Sequence, residues 1–201
     1  MKRFYTFEPK NFRIFDKMKG FIAVALLMLM AVGNVNAQFY QLVTSVSDLA
    51  VGDTVIIAAD GANYAISTTQ NSNNRGQAAI VKSGAVASWT SNDVEKFVLE
   101  AGAVANTFAF RATGHAGYLY AAFSNNNYLR TQSSIDNFAS WAVTIASDGQ
   151  ATAISQGTST RNSLRYNSAS SIFAPPWASR RWSVCRWARA AAISTPASSS
   201  S

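Results

Sequence analysis

Lys96-Phe97-Val98-Leu99-Glu100-Ala101, a turn, and Thr107-Phe108-Ala109-Phe110 return further along the chain as Ser140-Trp141-Ala142-Val143-Thr144-Ile145-Ala146, a turn, and Ala151-Thr152-Ala153-Ile154. The anchors Phe97 and Trp141 stand 44 residues apart. Within each run the large side chains alternate: Phe97 with Leu99, Phe108 with Phe110, Trp141 with Val143 and Ile145. A period of two places such residues on one face of an extended strand. Burying each one stabilises the fold by about 1.5–3 kcal/mol, so Phe97, Phe108, Phe110 and Trp141 are read as core and not as a ligand platform. A second echo pairs Asn127-Tyr128-Leu129-Arg130 with Asn162-Ser163-Leu164-Arg165, 35 residues on. A two-strand hairpin repeated at about 40 residues implies a β-trefoil-like barrel, three such units closing on one another. A β-sandwich built from similar runs is the alternative.

Outward from these runs the pattern holds. Short apolar stretches separated by Gly, Asn, Ser and Asp predict strands near residues 40–46, 54–58, 64–67, 78–81, 96–100, 107–112, 118–123, 128–131, 141–146, 152–155, 164–166 and 172–173. Asp148-Gly149 reads as a tight hairpin in which both turn positions take positive φ. Beyond the N-terminal leader no stretch sustains a helical apolar period, and the class is all-β.

The net charge of +7 is unevenly spread. Residues 1–37 carry six Lys/Arg against two acids, and residues 174–201 carry four Arg and no acid. The stretch 38–173 holds seven basic and eight acidic residues. It has no basic footprint for nucleic acid, and none is expected as a partner. The single cysteine, Cys185, cannot pair within the chain.

Three segments follow: 1–37, 38–173 and 174–201. In the first, Lys19 precedes a twelve-residue apolar run from Phe21, and Val35-Asn36-Ala37 precedes Gln38. That is the layout of a cleavable secretory signal, its apolar run short of the roughly 20 residues that span a bilayer comfortably, with Met18 the better start and a single N-terminal membrane anchor the alternative reading. Export to the periplasm, cell surface or medium is expected, with no membrane contact beyond the signal peptide. In the last segment Arg, Trp, Pro and Ala rise, acids vanish and alternation stops. This tail reads as aberrant or disordered: a frame error near codon 174, a cationic Trp/Arg segment lying on membranes, or a disordered end.

No catalytic set stands out. His115 is the lone histidine, in Thr113-Gly114-His115-Ala116-Gly117, and triads and most zinc sites need it beside further partners. Asp48 and Asp53 bracket a turn. No catalytic residue, metal ligand or cofactor is assigned. The polar loops Gln70–Arg75 and 124–128 are better candidates. Asn71, Asn73, Asn74, Arg75, Asn125, Asn126, Asn127 and Tyr128 offer amide donors and acceptors beside an aromatic ring, the group types that small-ligand and sugar sites use.

Residues 40–59, followed by Tyr64-Ala65-Ile66-Ser67-Thr68-Thr69-Gln70 and the Asn-rich loop, with Asn162–Ser168 and Ser171-Ile172-Phe173 at the far end, resemble a module found in secreted proteins of Bacteroidetes-type bacteria. The likeness covers about residues 39–173. It implies an accessory role, because in that family the module accompanies extracellular nucleases, other exported enzymes or a C-terminal sorting domain, and no catalytic residues are associated with the module itself. Members continue past the Ile-Phe pair with a closing strand containing Tyr and Gly, where this chain departs. The expected function is a non-catalytic binding module for a surface glycan or protein. The alternatives are a component of a secreted hydrolase or nuclease, or a truncated or frame-shifted fragment without independent function.

Overall fold

The structure is a computed structural model and describes residues 37–122, 126–176 and 185–190. The leader, and the expectation of its cleavage, lie outside the described residues.

The strands in chain order are β1 (Gln38–Leu42), β2 (Thr54–Ala59), β3 (Tyr64–Asn71), β4 (Asn74–Ala79), β5 (Val81–Ser83), β6 (Val86–Trp89), β7 (Phe97–Ala101), β8 (Phe108–Ala112), β9 (Tyr118–Ala122), β10 (Tyr128–Gln132), β11 (Trp141–Ile145), β12 (Gln150–Ser155), β13 (Arg165–Asn167), β14 (Ile172–Ala174) and β15 (Cys185–Ala190). Six of them form a closed antiparallel ring, β2-β7-β8-β11-β12-β15, with β15 returning to pair with β2. Closure removes free sheet edges from this part of the molecule. Three hairpins, β3–β4, β9–β10 and β13–β14, follow the second strand of each barrel pair, and they meet one another at one end of the barrel.

The register explains the repeat. Val55 pairs with Phe97, Phe108 with Trp141, and Ala151 with Cys185. Phe97, Trp141 and Cys185 therefore occupy matching backbone positions, each 44 residues after the last. The third barrel pair is β15 with β2, supplied by opposite ends of the described chain. Part of the segment 174–201, expected to be aberrant or disordered, is described. Ala174 extends β14, and residues 185–190 form a barrel strand in which Trp187 is fully buried. Arg189 of that strand reaches the turn at Asp48 and Asp53, donating to the Asp48 carbonyl at 2.9 Å and lying 3.6 Å from the Asp53 carboxylate. Residues 177–184 and 191–201 fall outside the described part.

Alternation fills the barrel as expected. Phe97, Phe110 and Trp141 are fully buried and Phe108 is half-buried against them. The Phe110 ring touches one aromatic from each first strand of a pair: Phe97 at 6.2 Å, Trp141 at 5.9 Å and Trp187 at 5.0 Å. Offset and edge-on contacts at such spacings add to the area term. Trp141 Nε1 donates to the Leu119 carbonyl at 2.9 Å, so its one polar group is satisfied inside the core.

A second layer lies outside the threefold frame. β1 pairs with β15 and β6, and β6 with β5. It explains the uninterrupted apolar run of β2: Val55, Ile57 and Ala59 join the barrel core, while Ile56 and Ala58 join a cluster with Tyr40, Ala87, Trp89 and Ala188. A strand covered on both faces loses its alternation.

Two local readings change. Gly149 takes φ +84, but Asp148 is not among the positive-φ residues. Gly149 N–H bonds to the Ala146 carbonyl at 2.8 Å and the Asp148 carboxylate caps the Gln150 N–H at 2.9 Å. The connection is thus a longer turn ending in one left-handed glycine, not a two-residue turn with two. β6, which the sequence analysis did not foresee, fits between Gly84 and Ser91 and brings Trp89 into the second layer.

Candidate functional site

The two polar loops, far apart in sequence, come together where the β3–β4 hairpin meets β10. β3 and β4 pair through Asn71 and Asn74, leaving Ser72 and Asn73 as the loop. Ser72 adopts φ +48, a conformation uncommon for a residue with a Cβ. The junction with β10 is made by main chain and amides. Leu129 N–H donates to the Asn73 carbonyl at 2.9 Å. Gln70 Nε2 donates to the carbonyls of Asn74 at 3.0 Å and Leu129 at 3.3 Å. The Arg130 guanidinium donates to Asn73 Oδ1. With its nitrogen turned toward the neighbouring carbonyls, the Asn74 amide donates to Asn127 and, at 3.1 Å, to Asn73.

Asn73, Asn74 and Asn127 thus hold the junction, and Asn71 and Asn126 are exposed at its surface. Tyr128 is half-buried, and the Arg130 guanidinium carbon stands 4.9 Å from its ring centroid, in cation–π range. Asn125 lies outside the described residues. Gln70 Oε1 and Arg130 Nε are buried here without a hydrogen-bond partner among the described residues. Gln70 stood at the start of the first polar loop without being a candidate itself, and Arg130 stood only in the second echo.

Arg75 does not belong to this surface. It is fully buried: its guanidinium donates to Glu95 Oε2 at 2.7 Å and to the Ser67 carbonyl at 2.9 Å, and Glu95 is equally buried. Desolvation lowers the affinity of the guanidinium for its proton, and the Glu95 charge opposes that shift. Arg75, Leu129 and Phe173 are each the second residue of their hairpin strand, and each is fully buried. Arg75 fills the place that apolar side chains fill in the other two hairpins.

The remaining singled-out residues are turn residues. Asp53 Oδ2 accepts the Ala50 N–H at 2.9 Å. His115 sits in the loop between β8 and β9. Elsewhere, a cavity of about 280 Å³ opens between the β2–β3 loop and the β5–β6 turn, walled by Leu42, Ala58, Ala87 and Ala188. The Lys82 ammonium at its rim donates to the carbonyls of Ala59 and Ala62.

No protein-family model and no curated protein matches the chain. Solved structures do. The BEL β-trefoil superposes with a TM-score of 0.52 at 13% identity, over 70% of this chain and 95% of its own. The fold is a β-trefoil. A GlcNAcα1-4Gal-releasing endo-β-galactosidase from Clostridium perfringens matches with a TM-score of 0.52 at 10% identity, over 69% of this chain. The match spans only 33% of that enzyme. The designed threefold-symmetric protein ThreeFoil gives a TM-score of 0.49 at 13% identity, covering 67% of this chain and 97% of its own. In this trefoil the Asn-rich junction joins two of the three end hairpins.

Proposed function

We propose that this chain is an exported, non-catalytic binding module whose Asn-rich junction takes a surface glycan or a surface protein. The observation that carries the reading is the convergence of the Asn-rich segment 71–74 with the segment 126–130, which brings Asn126 and Asn127, into one hydrogen-bonded surface beside the Tyr128 ring. Amides pair with hydroxyls as both donors and acceptors, and an aromatic face packs against the C–H face of a sugar ring. The similarity of the fold to part of a glycan-releasing enzyme accords with this reading. Export rests on the leader, and the first strand begins at Gln38, directly after the expected cleavage point.

A glycan array probed with the parent protein and with the Asn71→Ala/Tyr128→Ala variant tests the proposal. Retention of a glycan class by the parent, lost in the variant at unchanged Tm, is the expected result. Equal retention by the two proteins rejects the junction as the site. N-terminal sequencing of the secreted product tests export separately, with Gln38 expected first.

A further inference from the structure

A second polar cleft, of about 160 Å³, lies where the added layer meets the threefold frame, among the start of β1, Thr68 of β3, the end of β6, the segment 90–96 and the β8–β9 loop. Its wall includes Trp89, Asn92, Lys96, Thr113 and Gly114. We propose that this cleft binds one anionic sugar residue, a carboxylated pyranose, with Lys96 pairing its carboxylate.

Charge points to the anion. Lys96 is the one ionisable side chain lining the cleft, is half-buried, and among the described residues its ammonium has no hydrogen bond or ion pair. The adjacent carboxylate, Glu95, is fully buried and committed. One oxygen holds Arg75, and the other accepts the N–H groups of Thr113 at 3.0 Å and Gly114 at 2.7 Å. A lysine without a charge partner in the wall of a polar cleft favours a negatively charged ligand.

The remaining wall points to a sugar. Asn92, Thr113, Thr68, Ser91 and Gln38 contribute amides and hydroxyls around a base that includes the buried Trp89, which packs on Tyr40 at 4.9 Å between ring centroids. The volume lies below the range of about 300–1,000 Å³ usual for drug-sized ligands, so one ring fits and an extended chain does not.

The wall is also preorganised. The Glu95 bonds fix the Thr113–Gly114 main chain, the Thr68 N–H bonds to the Asp93 carbonyl at 2.8 Å, and a Cβ on Gly114 would lie 2.5 Å from Thr68 Cγ2. Little ordering is left for a ligand to impose.

The test is a titration of the purified protein with glucuronate, glucose and acetate, followed by two-dimensional NMR. Glucuronate is expected to shift the Trp89 indole and the amides of Lys96, Thr113 and Gly114, with glucose and acetate each weaker by about tenfold or more. Lys96→Gln should erase the advantage of glucuronate over glucose, and Lys96→Arg should keep it. Absence of shifts at these groups, unchanged glucuronate binding in Lys96→Gln, or acetate binding as tightly as glucuronate overturns the proposal. The Asn71→Ala/Tyr128→Ala variant leaves every group of this cleft in place, so the amide junction and the cleft stand or fall separately.

Discussion

Replacing Arg75 by Met should remove a large share of the stability of the domain. The guanidinium it deletes is the only counter-charge that Glu95 has among the described residues, at 2.7 Å, with both side chains wholly excluded from solvent. The Glu95 carboxylate would keep its two N–H donors, Thr113 and Gly114, but would remain as a buried uncompensated charge. Breaking one side of such a pair costs about 3–5 kcal/mol, against a total of about 5–15 kcal/mol for an ordinary domain. With a urea m-value of about 2 kcal/mol/M, the midpoint should fall by about 2 M. Glu95→Gln should also destabilise, because it keeps an acceptor for the two N–H groups but strands the guanidinium, whose remaining bond is to the Ser67 carbonyl. The double variant Arg75→Met/Glu95→Gln removes both charges and retains that acceptor, so it should lie within about 1–2 kcal/mol of the parent. Urea denaturation followed by circular dichroism gives all three values. Additive single effects, or a loss below about 1 kcal/mol for Arg75→Met, would refute the argument that the pair is buried and mutually dependent.

Three further expectations follow from the geometry. Trp141→Phe keeps a ring in the barrel but leaves the Leu119 carbonyl without its donor, and should cost about 1–3 kcal/mol in urea denaturation. Deleting residues 185–201 removes the strand that joins β12 to β2; the product should lose its cooperative thermal transition and bind a hydrophobic dye, and an unchanged Tm would contradict the closed barrel. Glu100 is held below the usual carboxylate range by its hydrogen bond to Arg111 at 2.5 Å, aided by Tyr118 at 2.9 Å and opposed by partial burial. A lowered folded pKa gives stability that is present above the unfolded value and lost as pH falls through the folded one. Glu100→Gln should therefore cost less than about 1 kcal/mol at neutral pH, the pair being partly exposed, and the difference should vanish in strong acid and shrink in 1 M salt.

The barrel was legible in the sequence because its signal is local. Alternation at Phe97, Phe110 and Trp141 needs only a few neighbouring residues to declare a face, and the 44-residue spacing declared a repeat. The third repeat was hidden by chemistry. The matching backbone position holds Cys185 where the others hold Phe97 and Trp141, and the Arg-rich composition around it drew attention from Trp187. Arg75 was misplaced for a related reason. A charged residue after three asparagines reads as surface, and only the register with Phe173 shows that it occupies a core position. Its partner lies 20 residues away, and no periodicity links the two.

These misses share a physical pattern. Threefold repetition fixes what each position should hold, so the departures from it are where this sequence does something the barrel does not need. One departure is the added layer of β1, β5 and β6, which positions Trp89. Another is the ion pair in place of an apolar side chain, and the carboxylate it neutralises grips Thr113 and Gly114. The two have no residue in common, yet both contribute to the wall that includes Lys96. A buried ion pair is a poor source of stability compared with well-packed apolar groups. Its position here is better accounted for by the main-chain wall it holds in place than by any contribution to the core.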